Sequence, residues 1–263
     1  MGDEFQFRIE SETGHEATPG SPPRQQAPWG YREILLLVAV ALLAQLLVTA
    51  AAVAFVGRGG DFEPYEVMER LKVSPHVVVP LQMLTWLPVL ACLWYMVAVR
   101  HGLPLRTGLA WKPLPRSART YFRTGALLAF GSALLSIAIG DRTASNPMTE
   151  LLSDPAALWL IGLFGVFVAP CIEELVFRGF LFGALERMHG TGAALLISSA
   201  VFTALHGSQY GWQWPQLVVL GLVGIAFGAV RIRSGSTMAS TIVHAAYNGM
   251  LLVALIGMGR WLS

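Results

Sequence analysis

A series of apolar blocks, each close to the length of a bilayer crossing, limits this chain more than any other feature. "ILLLVAVALLAQLLVTAAAVAFV" (34–56) is the clearest, and "VVVPLQMLTWLPVLACLWYMVAV" (77–99) follows, with Pro80 and Pro88 as expected kinks. "GALLAFGSALLSIAIG" (125–140) is shorter, and one long block runs from about 156 to 185. "GAALLISSAVFTALH" (192–206), "LVVLGLVGIAFGAV" (217–230) and "TIVHAAYNGMLLVALIGM" (241–258) complete the set. A helix needs about 20 apolar residues to cross the hydrocarbon core. Lipid offers backbone groups no partner, so each block must satisfy its own hydrogen bonds as a helix. The expected fold is an all-α polytopic transmembrane bundle of about 7–8 spans. No soluble domain or internal repeat is visible.

Composition agrees. Hydrophobic residues make up 54% of the 263 and charged residues only 13%, against about 25% charged in a soluble domain. The net charge of +2 gives no nucleic-acid footprint. Cys92 and Cys171 both sit in apolar blocks and make no disulfide framework. The start, "MGDEFQFRIE", lacks the basic and apolar regions of a signal peptide, so the block from Ile34 reads as an uncleaved anchor. Residues 1–30, with "TPGSPPRQQAP", are too polar to bury a core and read as a disordered cytoplasmic tail. Trp29 and Tyr31 stand where interfacial aromatic anchors are expected. The expected division is this tail, N-terminal spans over 31–150, and a functional transmembrane domain over 151–263.

The span count turns on Pro170, which either splits the long block or only bends it. Loop charge favours bending. Arg100, Arg106, Lys112, Arg116, Arg119 and Arg123 crowd the 100–124 loop, whereas the 141–155 loop has only Arg142. Basic loops stay cytoplasmic, which puts the N-terminus in the cytoplasm of a multi-pass cell-membrane protein. One unsplit span also leaves Arg187, Arg231 and Arg233 on that side. Seven spans are therefore expected, with eight as the alternative.

Away from the span ends, the ionisable residues within the blocks are few: Glu173, Glu174, Arg178, His206 and His244, all in the last four blocks. Such residues cost about 2.5–3.5 kcal/mol each on insertion scales and usually face the bundle interior. Glu174 and Arg178 are i, i+4 and can pair. Glu173 points about 100° round the helix from Glu174. Phe202 with His206, and His244 with Asn248, are further i, i+4 pairs. If the long block folds back near "RMHGTG", Glu173 and His206 each lie about 13–15 residues from the turn, and they meet on the order of 20 Å above it. Singly, each has a structural reading: a buried ion pair, a satisfied core histidine, a helix–helix hydrogen bond. Together, a carboxylate, two imidazoles and an amide at one depth can activate water and stabilise an oxyanion.

In order and spacing, "EELVFR" (173–178), "FTALH" (202–206) and "HAAYN" (244–248) resemble the motifs E-E-x-x-x-R, F-x-x-x-H and H-x-x-x-N of the CPBP intramembrane proteases. That family includes the CAAX prenyl endopeptidases and bacteriocin-processing proteins. The resemblance covers about 155–258. It implies an intramembrane endopeptidase acting on a membrane-anchored protein or peptide: a CAAX-like C-terminus, a leader or a sorting tail. Glu173 would activate water with His206, His244 and Asn248 would stabilise the oxyanion, and Glu174 and Arg178 would orient the site. No cofactor is favoured. The alternative is zinc held by Glu173, His206 and His244. Pro170, Gly179, Gly183 and Gly207 are expected openings for water, and "GSQYGWQWPQ" (207–216) reads as an interfacial loop, with substrate gating as a second reading. Two other functions compete: a transporter or channel with a Glu/His relay, and a non-catalytic immunity or partner protein.

Overall fold

The computed structural model describes residues 27–58, 65–66, 75–139 and 155–261, and among these the regular elements are all helical. Helix α1 is Tyr31–Gly57, and Glu33 Oε2 accepts the Gly30 N–H at its start at 2.9 Å. Helix α2 covers 75–100, passing through Pro80 and Pro88 and ending in a π-helical stretch, Tyr95–Arg100. Helix α3 is Ala118–Ala138. Helix α4 covers 155–189 and α5 covers 191–206, the chain breaking at Gly190, where φ is 80°. Helices α6 (Trp214–Ser234) and α7 (Thr237–Trp261) follow, with a left-handed Gly235 closing α6.

Among the described residues, six helical stretches are long and apolar enough to cross a membrane, one of them the 53-residue Leu158–Tyr210, which folds at Gly190 into α4 and α5. With that stretch folded in two, the arrangement is compatible with the seven spans expected from the loop charges. Pro170 does not split α4. Its ring and missing N–H forbid the ordinary α pattern there, and the helix responds by widening to π geometry over Phe164–Val168 before resuming at Ala169–Glu174. A second π stretch, Leu175–Leu181, follows.

One end of the bundle gathers the N-terminus of α1, the loop after α2, the Gly190 turn and the α6–α7 turn. The Tyr31 hydroxyl bonds the His189 ring. Arg187 Nη2 donates to the Trp29 carbonyl at 2.9 Å. The Thr237 N–H reaches the Ala110 carbonyl at 2.9 Å, and Ser236 Oγ the Lys112 carbonyl at 2.6 Å.

Two expectations need correcting. Trp29 is no interfacial anchor. It is 1% exposed, stacks on Phe180 at 5.1 Å and 11°, and donates its Nε1–H to the Phe180 carbonyl at 3.0 Å. The chain is therefore packed from Ala27 onward, inside the stretch read as tail. Residues 1–26 lie outside the described residues. Nor do the glycines mark openings. A Cβ on Gly179 would come within 3.1 Å of Leu109, one on Gly183 within 3.3 Å of Ala27, and one on Gly207 within 2.6 Å of the Trp212 ring. They are points of close approach.

Candidate active site

Two consecutive carboxylates on α4 face different surroundings, because neighbouring side chains on a helix point about 100° apart. Glu174 is fully buried and sits at the centre of a polar network. Its Oε1 lies 3.0 Å from Arg178 Nη1 and 3.1 Å from His244 Nδ1. Its Oε2 lies 2.5 Å from Ser240 Oγ, whose one proton serves either this oxygen or the Phe227 carbonyl at 3.0 Å. The guanidinium of Arg178, also fully buried, donates from Nη2 to the Gly224 carbonyl at 2.9 Å. It is enclosed by aromatic rings, with Cζ 4.7 Å from the centroid of Phe202, 5.5 Å from Phe227 and 5.9 Å from Phe177. A charge out of water is tolerated only with such pairing, and ring faces add cation–π attraction.

Glu173 faces the other way. Its Oε2 lies 3.8 Å from His206 Nε2 and 3.8 Å from His244 Nε2. Both imidazoles are fixed from behind. His206 Nδ1–H donates to the Phe202 carbonyl at 2.8 Å, one turn back on α5. His244 Nδ1 is held by Glu174, and the Phe227 ring stacks on the imidazole at 4.3 Å and 25°. Both Nε2 atoms are thus aimed at one carboxylate oxygen. Contacts of 3.8 Å are too long for direct hydrogen bonds, yet short enough for one water to touch both sides. The hairpin at Gly190 makes this meeting possible, as the residue count from the turn implied.

Asn248, one turn beyond His244 on α7, is placed differently from its neighbours. Its Nδ2 donates to the Gly165 carbonyl on α4 at 2.7 Å. Cys171, close to Glu173 in sequence, only caps the Phe167 carbonyl through Sγ at 3.3 Å. As for a metal, no group of three His, Cys, Asp or Glu among the described residues is arranged to hold an ion. Glu173, His206 and His244 have the right chemistry for zinc and are adjacent, but as placed they are not gathered as ligands.

Sequence reading missed Ser240, Phe227 and the carbonyls of Gly224 and Gly165. Ser240 was within reach: it is i−4 from His244, on the same face of α7. The carbonyls carry no side-chain signal. The 207–216 segment forms a short 3₁₀ turn, Gly207–Tyr210, then exposes Trp212 and Trp214, with Trp212 at a left-handed φ of 57°.

Compared with known proteins, residues 155–250 match the model of one family, described as type II CAAX prenyl endopeptidase Rce1-like. No curated protein and no solved structure matches the chain.

Proposed function

We infer, from the match of residues 155–250 to the model of the type II CAAX prenyl endopeptidase Rce1-like family, that the chain is an intramembrane endopeptidase whose water is activated by Glu173. The observation that carries the mechanism is the aim of two imidazole Nε2 atoms at the single oxygen Glu173 Oε2, each 3.8 Å away. A water between them is oriented by His206 and loses a proton to Glu173. The hydroxide adds to the scissile carbonyl carbon, and the carbonyl π electrons move onto oxygen. His244 lies between Glu173 and Glu174. Its Nδ1 is held by Glu174 and its Nε2 faces the site, where it is placed to donate to that oxyanion, the kind of donor whose loss costs about 2.7–4 kcal/mol of barrier. Collapse breaks the C–N bond, and the leaving amine takes the proton from Glu173. Glu174, Arg178 and Ser240 hold His244 in place. The reading derives no step through a metal.

The substrate class is a membrane-associated protein or peptide, with a prenylated C-terminal Cys-a-a-X segment as the first member to test. The assay uses purified protein in liposomes with an internally quenched farnesylated peptide of that form. Cleavage by the parent, lost with Glu173→Gln, supports the reading. Ion or solute flux in the same liposomes without cleavage would favour a transporter. Elemental analysis tests the metal: zinc should be substoichiometric and activity should survive a strong chelator. One zinc per chain, lost with activity in His244→Ala and restored by added zinc, would overturn the mechanism.

A further inference from the structure

Helix α4 contains a backbone carbonyl, that of Gly165, that neither the α nor the π pattern of its own helix can satisfy. In an α-helix the Gly165 carbonyl would accept the N–H of residue 169. Here Ala169 donates instead to Phe164, five residues back, closing the π-helical stretch Phe164–Val168. In the π pattern the partner of Gly165 becomes residue 170, which is Pro170 and has no N–H. Both of these donors are therefore lost to one carbonyl, at membrane depth, where lipid offers an unpaired backbone group no partner. Asn248 Nδ2 on α7 fills this position at 2.7 Å. The contact belongs to a close seam between the two helices. A Cβ on Gly162 would come within 2.5 Å of Leu252, one turn further along each helix, and one on Gly249 within 3.7 Å of Val166.

We propose that Asn248 is a positioning residue: its amide replaces the backbone donor that Pro170 removes, and so fixes the widened turn just before the glutamates against the helix carrying His244. Asn248 thereby acts through Gly165 rather than on the substrate. The widened turn directly precedes the six-residue turn that carries the glutamates, and the amide ties it to α7 one helical turn from His244. The catalytic part of this inference rests on the protease reading; the structural part does not.

A double-mutant cycle tests it, because Pro170→Ala restores an N–H that either helical pattern can deliver to this region. Asn248→Ala alone should lower the thermal midpoint in detergent by about 3–8 °C, the effect of a buried acceptor left unpaired. It should also lower kcat on the farnesylated peptide at least about 10-fold with KM little changed, the signature of displaced groups rather than lost binding. In the Pro170→Ala background the same substitution should cost less than about a third of that midpoint shift, and most of the kcat loss should vanish. If Asn248→Ala alone fails to fold, recovery of a folded protein in the double variant is the same rescue. A double variant as unstable as Asn248→Ala overturns the proposal whether or not the parent cleaves the peptide. A double variant with restored stability but a full kcat loss overturns it too, because Asn248 would then be a donor to the substrate. Failure of the parent to cleave counts against the protease reading alone, and the stability arm still decides the role of Asn248.

Discussion

At the scale of single residues, the two adjacent glutamates should fail differently. Glu173→Gln keeps shape and removes the base, so turnover should fall at least about 100-fold with normal membrane insertion; near-parental cleavage would remove Glu173 from that role. Glu174→Gln or Arg178→Met each strands a buried partner, at roughly 3–5 kcal/mol, so both should lose thermal stability as well as activity. The double neutral variant should regain stability while staying inactive, because His244 Nδ1 still lacks its carboxylate. If either single variant is inactive but as heat-stable as the parent, the partner acts on the chemistry directly. The pairing of Glu174 with Arg178 was legible in the sequence because i, i+4 spacing fixes which side chains share a helix face. The network around Glu174 was only half legible. Arg178 was evident from spacing, but Ser240 and the Gly224 carbonyl meet it only through the packing of α6 and α7.

Helices add a constraint that the residues do not reveal. Both π stretches of α4 flank the six-residue turn that carries the glutamates, and such widened turns cluster at functional sites. The first answers Pro170; the second is held from outside by Trp29, whose indole N–H takes the Phe180 carbonyl and whose ring covers Phe180. This explains why a tryptophan before the first span is buried. It packs against the helix that carries Arg178, and only the tertiary fold brings the two within reach across 151 positions of sequence. Trp29→Phe keeps the stack and loses the hydrogen bond, which should lower the thermal midpoint by about 2–6 °C. Trp29→Ala also leaves a cavity, worth about 3–5 kcal/mol, and should shift it further. A Trp29→Ala protein as heat-stable as the parent would mean that the segment before α1 does not brace α4.

For the whole molecule the open question is handedness in the membrane, and here sequence and structure bear on different halves of it. Hydropathy located the blocks, but it could not tell whether Pro170 ends a span, because a proline at a span centre is compatible with either outcome. The structure keeps α4 continuous and turns the chain at Gly190. It then brings Trp29, Ala110, Arg187 and Thr237 into hydrogen-bonded contact at one end. Among the described residues this gives an odd number of crossing-length helices, with the α6–α7 turn on the same side as the loop after α2. In an eight-span chain those two turns would lie on opposite faces of the bilayer, which the bond from Thr237 to Ala110 forbids. Which face this is comes from charge: the basic residues of the 100–124 loop, with Arg187, Arg231 and Arg233, all fall at this end, and basic loops are retained in the cytoplasm. We therefore predict that, with Cys92 and Cys171 replaced, Arg116→Cys and Arg233→Cys react with an impermeant thiol reagent only when it is admitted from the cytoplasmic side. All three chosen positions are exposed. Gln209→Cys, in the turn between α5 and α6, should react only from the opposite side. If Arg116→Cys and Arg233→Cys label from opposite sides, the seven-span arrangement fails. If they label together but from outside, the arrangement stands and the cytoplasmic assignment of the N-terminus is reversed.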